Sequence, residues 1–190
     1  MSHYFVGIPI RGQQRDRLEK WSQQIKPYFD YKLWVHPNDL HITLAFLGAW
    51  ETSSIGELMG SLENLQSFPP FHIEIGELDS FGSAIAPRVL YANVKKNDVL
   101  EKLYLLIHEQ IQFEKEKRPY RPHITLAKKW KSEQKLDKPF SGKDYIKHAP
   151  YEKMKVDRIC LFEIHPERAQ KYECIKSIDL KGEEDFGAIN

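Results

Sequence analysis

The chain has 190 residues, 41% hydrophobic and 29% charged, which suits one compact domain or two closely packed lobes and leaves nothing for a linker. A formal net charge of +1 provides no global field for a polyanion, so any attraction to phosphate must be local. The N-terminus lacks the pattern of a signal peptide, no apolar run reaches bilayer length, and two cysteines cannot form a disulfide framework, so the expected location is cytoplasmic, with no membrane partner.

Residues 4–10 are dense in β-formers and predict a strand, and residues 11–26 predict a helix with Leu18, Trp21 and Ile25 inward, stopped by Pro27. A short extended piece over 31–35 and a turn at His36-Pro37-Asn38-Asp39 lead to a strand that begins at His41 and ends at Gly48. Residues 53–65 carry Ile55, Leu58, Met59, Leu62 and Leu65 at helical spacing, with Ser53 or Ser54 as N-cap and Pro69-Pro70 as the stop. This first lobe covers about 1–68. The second, about 71–127, holds strands over 71–78 and 88–94, then a helix over 98–113 with Asn97 as cap and Leu100, Leu103, Leu106, Ile107 and Ile111 inward. A charged loop over 114–119 delivers the chain to a strand starting at His123. Residues 128–149 are polar, interrupted by Pro139 and Gly142, and read as a long loop placed to act as a lid. Residues 154–180 read as a closing hairpin that completes the second lobe, with arms over 154–164 and 171–180 around His165-Pro166-Glu167-Arg168, and 181–190 as a tail. Cys160 and Cys174 fall on the two arms of that hairpin and read as reduced core thiols.

The pentapeptide His41-Ile42-Thr43-Leu44-Ala45 recurs as His123-Ile124-Thr125-Leu126-Ala127. A strand sends successive side chains to opposite faces, so in each copy His and Thr share one face while Ile and Leu point to a core. Solvent-facing positions have no physical reason to match in two halves of a chain, so the duplication marks a shared site. The expected fold is α+β: bilobal and pseudo-symmetric, two sheets around a central groove that each supplies with one motif strand, and helices on the outer faces.

Two imidazoles that titrate near neutrality supply an acid and a base at once. In-line displacement at phosphorus puts nucleophile and leaving oxygen on opposite sides, which is where such a pair must stand, and the hydroxyls of Thr43 and Thr125 are placed to donate to the non-bridging oxygens. Arg121 has the parity of His123 and is a candidate phosphate ligand; Asp39 has the parity of His41, and either orients it or caps the local backbone. The other histidines, at 3, 36, 72, 108, 148 and 165, show no metal-ligand spacing, so no metal or other cofactor is expected. The rival reading is a non-catalytic module that binds RNA ends or single strands in the same groove, with Trp34, Tyr120 or Phe46 stacking on bases.

The stretches Leu40-His41-Ile42-Thr43-Leu44-Ala45-Phe46-Leu47-Gly48 and Tyr120-Arg121-Pro122-His123-Ile124-Thr125-Leu126-Ala127 resemble the two signature motifs of the two-histidine phosphoesterase superfamily. The likeness is greatest to its bacterial RNA 2′,3′-cyclic phosphodiesterases, also called 2′-5′ RNA ligases, and extends to Tyr4-Phe5-Val6-Gly7-Ile8 and the approach from Trp34. It implies opening of 2′,3′-cyclic phosphate ends of RNA or nucleotides to 2′-phosphates, with reversible 2′-5′ RNA ligation as a further activity and no obligatory protein partner. It also implies that His41 is the proton donor and His123 the acceptor, and that Phe46 is a base platform. Strict alternation turns Phe46 away from the histidine face, and Lys128 stands where the resemblance often shows Arg, keeping the charge without the bidentate fork.

Overall fold

A computed structural model describes residues 2–51, 54–111, 119–131 and 135–183; the proposed cap at Ser53, most of the charged loop and most of the tail lie outside them. The strands are β1 Ser2–Pro9, β2 Tyr31–Trp34, β3 His41–Trp50, β4 Phe71–Ser83, β5 Ala86–Val94, β6 His123–Trp130, β7 Glu152–Val156, β8 Arg158–Ile164 and β9 Tyr172–Asp179. The helices are α1 Gly12–Ile25, α2 Ile55–Glu63, α3 Asp98–Gln110 and the single-turn α4 Gly142–Tyr145.

Helix α1 buries Leu18, Trp21 and Ile25 along one stripe, and Pro27 falls in the 3₁₀ turn Lys26–Tyr28 that ends it. Helix α3 starts as its sequence dictates: the Asn97 side chain accepts from the Leu100 N–H at 3.0 Å, and Leu100, Leu103 and Ile107 are buried. These stripes pack with the inward side chains of the strands into one large core, while Phe5, Cys160 and Phe162 form a small separate cluster on the opposite face of the sheet.

The sheet is antiparallel in the order β7-β4-β5-β6-β3-β1-β8-β9, with β2 added to β6. The two sheets expected from the sequence are two four-stranded halves of this curled sheet, β7-β4-β5-β6 and β3-β1-β8-β9, and each motif strand is the inner edge of its half. The halves touch through one pair, Ile42 opposite Ile124, and both of those side chains are fully buried. Among the described residues no further β3–β6 pair follows, and the open face of the curled sheet beside this pair is the candidate groove.

The sequence copies are interleaved in space. Helix α1, from the first copy, lies on the second half, where Arg17 donates to the Ile75 carbonyl at 2.6 Å and Gln14 to Glu152 at 3.0 Å. Helix α3, from the second copy, packs against β3 and α2, and β2 pairs with β6. The closing hairpin also departs from expectation, because residues 154–164 are not one strand. Chain pairing breaks at Asp157, so β7 joins β4 at the edge of the second half while β8 and β9 extend the first half beside β1. The hairpin therefore belongs with the first motif and not with lobe two.

Residues 135–149 do not form a lid. The N–H groups of Leu136 and Phe140 donate to the carbonyls of Ile85 and Ala84, and Leu136, Phe140, Tyr145 and Ile146 pack into the main core, on the side of the sheet away from the groove. Both cysteines are free thiols and Cys160 is buried as expected, but Cys174 is exposed, and the β8–β9 register sets it opposite Phe162.

Candidate functional site

The motif strands run antiparallel through Ile42 and Ile124, so continuing that register puts His41 opposite Thr125 and Thr43 opposite His123. The two histidines are then diagonal neighbours on the same face, on the order of 7–8 Å apart on an ideal ladder.

Both imidazoles are fixed the same way. His41 Nδ1 lies 2.6 Å from the Asp39 carbonyl oxygen and His123 Nδ1 lies 2.8 Å from the Arg121 carbonyl oxygen, two residues upstream in each copy. A carbonyl only accepts, so each Nδ1 carries the proton, and each neutral ring has its lone pair on Nε2. On the first side the Thr43 hydroxyl lies 3.1 Å from His41 Nε2, which makes the hydroxyl the donor when the ring is neutral. Thr125 occupies the matching half-buried position on β6.

Asp39 orients His41 through its backbone. Its buried carboxylate points elsewhere, accepting from the N–H groups of Lys171 at 2.7 Å and Tyr172 at 3.1 Å, and so ties the start of β9 to the turn before β3. That tie seats Tyr172 edge-on to the His41 ring at 5.1 Å, while Phe5 covers it at 4.5 Å and is itself stacked on Phe162. Gly7 lies beneath: a Cβ there would come within 2.8 Å of the Ile42 carbonyl oxygen and 3.5 Å of the His41 ring. Enclosure by these groups disfavours the charged imidazole and lowers the His41 pKa from 6.5 to about 4; the Asp39 carbonyl opposes this, and the charges of Lys128 and His123 add to it.

His123 has a parallel aromatic cradle, with Phe81 edge-on at 4.9 Å and Tyr91 at 5.3 Å. Tyr91 donates to the Asp79 carboxylate at 3.0 Å, and burial, with Asp79 beside it, pushes its pKa up to about 12. Its oxygen accepts from Arg121 Nη2 at 3.4 Å, and the Arg121 guanidinium lies over the Phe81 ring at 5.0 Å. Arg121 is thus held on the His123 side of the groove.

Phe46 faces the groove, and a pair of bulges explains how. In β3 the register passes from Gly7–Thr43 to Val6–Ala45, leaving Leu44 as an extra residue. Leu44 and Ala45 both bury, alternation restarts one residue late, and Phe46, 55% exposed, returns to the face of His41 and Thr43. In β6 the register likewise passes from Tyr91–Thr125 to Leu90–Ala127, with Leu126 extra, and the residue returned to the histidine face is Lys128. Burial, together with Lys129 and Lys171, lowers the Lys128 pKa.

The register and contacts thus bring all six candidate residues, His41, Thr43, Phe46, Arg121, His123 and Thr125, to one face of the sheet. Sequence reasoning missed Phe5, Tyr172, Phe81, Tyr91 and the placement of Lys128. Among the described residues no group of three or more His, Cys, Asp or Glu side chains is arranged to hold a metal ion, and no helix is long and apolar enough to cross a membrane.

The family model of the 2′-5′ RNA ligase superfamily matches residues 14–168. An RNA 2′,3′-cyclic phosphodiesterase of Bacillus subtilis is 38% identical over 187 residues, covering 94% of this chain and 96% of the relative. A protein of the same name from Geobacillus stearothermophilus is 30% identical over 190 residues, covering 97% of this chain and 59% of the relative. The crystal structure of Escherichia coli LigT complexed with 3′-AMP superposes with a TM-score of 0.72 over 94% of this chain and 98% of that one, at 20% identity, a likeness of fold. With paired motifs on paired edge strands and these matches across most of its length, the chain belongs to the 2′-5′ RNA ligase superfamily.

Proposed function

We propose that the protein hydrolyses 2′,3′-cyclic phosphate ends of RNA or nucleotides to 2′-phosphates, using His41 and His123 as a metal-independent acid and base pair. The relatives named RNA 2′,3′-cyclic phosphodiesterase support the substrate class. The observation that carries the reading is the duplicated Nδ1-to-carbonyl bond, which turns both Nε2 atoms to the side where a phosphate would sit. A module that only binds RNA ends has no need of two imidazoles locked in matching tautomers.

His123 Nε2 takes a proton from water as the water oxygen bonds to phosphorus. The P–O3′ bond breaks on the opposite side, and O3′ receives the proton of His41 Nε2. The division of roles follows the family resemblance. Charge accumulates on the non-bridging oxygens, where the Thr43 and Thr125 hydroxyls, Lys128 and Arg121 supply donors and positive charge. Phe46 offers an exposed ring for the terminal base. Burial keeps His41 neutral at pH 7 without substrate, so it must take up a proton from solvent as substrate binds: the adjacent phosphodiester anion stabilises the imidazolium that burial alone disfavours. With a ribose 5′-hydroxyl attacking phosphorus in place of water and O3′ leaving as before, the same groups would perform 2′-5′ ligation, and the reverse of that step would cleave the 2′-5′ bond.

The test is turnover of 2′,3′-cyclic CMP followed by ³¹P NMR, with and without EDTA. The 2′-phosphate should form at the same rate in both. Loss of activity in EDTA, or exclusive formation of the 3′-phosphate, would contradict the proposal.

A further inference from the structure

The bulge that turns Phe46 into the groove leaves β3 with carbonyls that no neighbouring strand takes up. Beyond Ile42 that edge of β3 pairs with no strand among the described residues. In the sister strand the matching Leu126 carbonyl accepts from the Val35 N–H at 2.9 Å, just past β2. The first motif has side chains instead. His108 of α3 places Nε2 at 3.2 Å from the Leu44 carbonyl oxygen, and the Tyr120 hydroxyl donates to the Thr43 carbonyl at 3.1 Å. Because the carbonyl only accepts, His108 carries its proton on Nε2.

The two donors are assembled as one unit. Tyr104 stacks on Tyr120 at 4.1 Å and 11°, and packs on His108 at 4.5 Å. His108 is 6% exposed, and burial raises the Tyr120 pKa, so its hydroxyl stays a donor. A buried carbonyl left without a donor is costly, because it has given up water and gained no partner. Loss of either donor therefore favours a different path for residues 43–46, which carry Thr43 and Phe46 beside His41.

We propose that His108 and Tyr120 are positioning residues of the first motif: their bonds to the Leu44 and Thr43 carbonyls hold the bulge that keeps His41, Thr43 and Phe46 on one face. Both reach β3 from the second copy of the sequence, so the second lobe shapes the catalytic strand of the first. The kinetic consequence rests on the cyclic-phosphate reading of the groove; the structural consequence does not.

The experiment compares wild type with Tyr120→Phe, His108→Leu and His108→Gln, the last placing an amide N–H near the position of imidazole Nε2. Steady-state kinetics on 2′,3′-cyclic CMP and the NMR titration midpoint of the His41 ring are both read, with circular dichroism to confirm folding. Tyr120→Phe and His108→Leu should lower kcat roughly 10–100-fold, the scale of a misplacement near 1 Å, and move the His41 midpoint up toward its ordinary value as the ring opens to solvent. His108→Gln should restore most of both. An unchanged kcat and His41 midpoint in Tyr120→Phe, or a His108→Gln variant as impaired as His108→Leu, would overturn the proposal. Absence of turnover in wild type would overturn the activity instead, and the His41 midpoints alone would then decide the positioning role. Tyr120→Phe removes one oxygen, so it reports even if the His108 variants fail to fold.

Discussion

The depressed His41 pKa makes anion binding and proton uptake one event, and pH is the perturbation that exposes it. In the empty groove the midpoint is about 4, so between pH 5 and 7 the ring is almost wholly neutral. A dimethyl phosphate monoanion bound beside it stabilises the imidazolium by about 4 kcal/mol at 4 Å and an effective dielectric near 20, about three pH units, so the bound midpoint lies near 7. Linkage then requires that Kd rise as pH rises, by roughly 50-fold between pH 5 and 7, before flattening. Dimethyl phosphate does not titrate in this range, and isothermal titration calorimetry in buffers of different ionisation enthalpy would read both Kd and the proton taken up. Lys128 and His123 also face the anion, so the His41→Gln variant serves as reference, and the difference between the two profiles isolates His41. Identical pH profiles in wild type and His41→Gln would refute the reasoning. The same depression has a sign for folding: from pH 6.5 down toward 4 the unfolded chain binds a proton that the folded chain refuses, so this group removes stability as pH falls.

Two other predictions concern the groove walls. Thr43→Val or Thr125→Val keeps the β-branch and volume but removes a donor, and should lower kcat by about 10²–10³ with little change in melting temperature; wild-type kcat in both would make the hydroxyls structural. Asp39→Ala strips the acceptor from the N–H groups of Lys171 and Tyr172, at about 3–6 kcal/mol for two charge-assisted bonds, and should lower the melting temperature by about 6–24 °C and free Tyr172 from His41. A melting temperature unchanged in thermal unfolding would remove Asp39 from that role.

Local signals carried far in this chain. Residue parity within His41-Ile42-Thr43 and His123-Ile124-Thr125 put the right side chains on one face, and Asn97 capped the helix it stands before. Parity misled at Phe46 and Lys128, and the correction was written beside them: Leu44-Ala45 and Leu126-Ala127 are adjacent apolar residues in alternating strands, the pattern a bulge leaves when both residues must bury. The interleaving of the halves had no such local trace. Helix α1 covers the strands of the other copy, and β7 parts from β8 at Asp157, because strand and helix partners are chosen by surfaces distant in sequence. For the same reason Phe5, Tyr172, Phe81 and Tyr91 became visible as walls of the histidine pockets only once their strands were paired.

The central claim is that two imidazoles share one reaction. It is tested most directly by single-turnover kinetics of His41→Ala, His123→Ala and the double variant on an RNA oligonucleotide ending in a 2′,3′-cyclic phosphate. Each single variant should lose roughly 10²–10⁴-fold in rate while binding and folding persist, and the double variant should lose much less than the product of the two, because the groups act as a unit. A single variant that turns over at the wild-type rate would contradict the account.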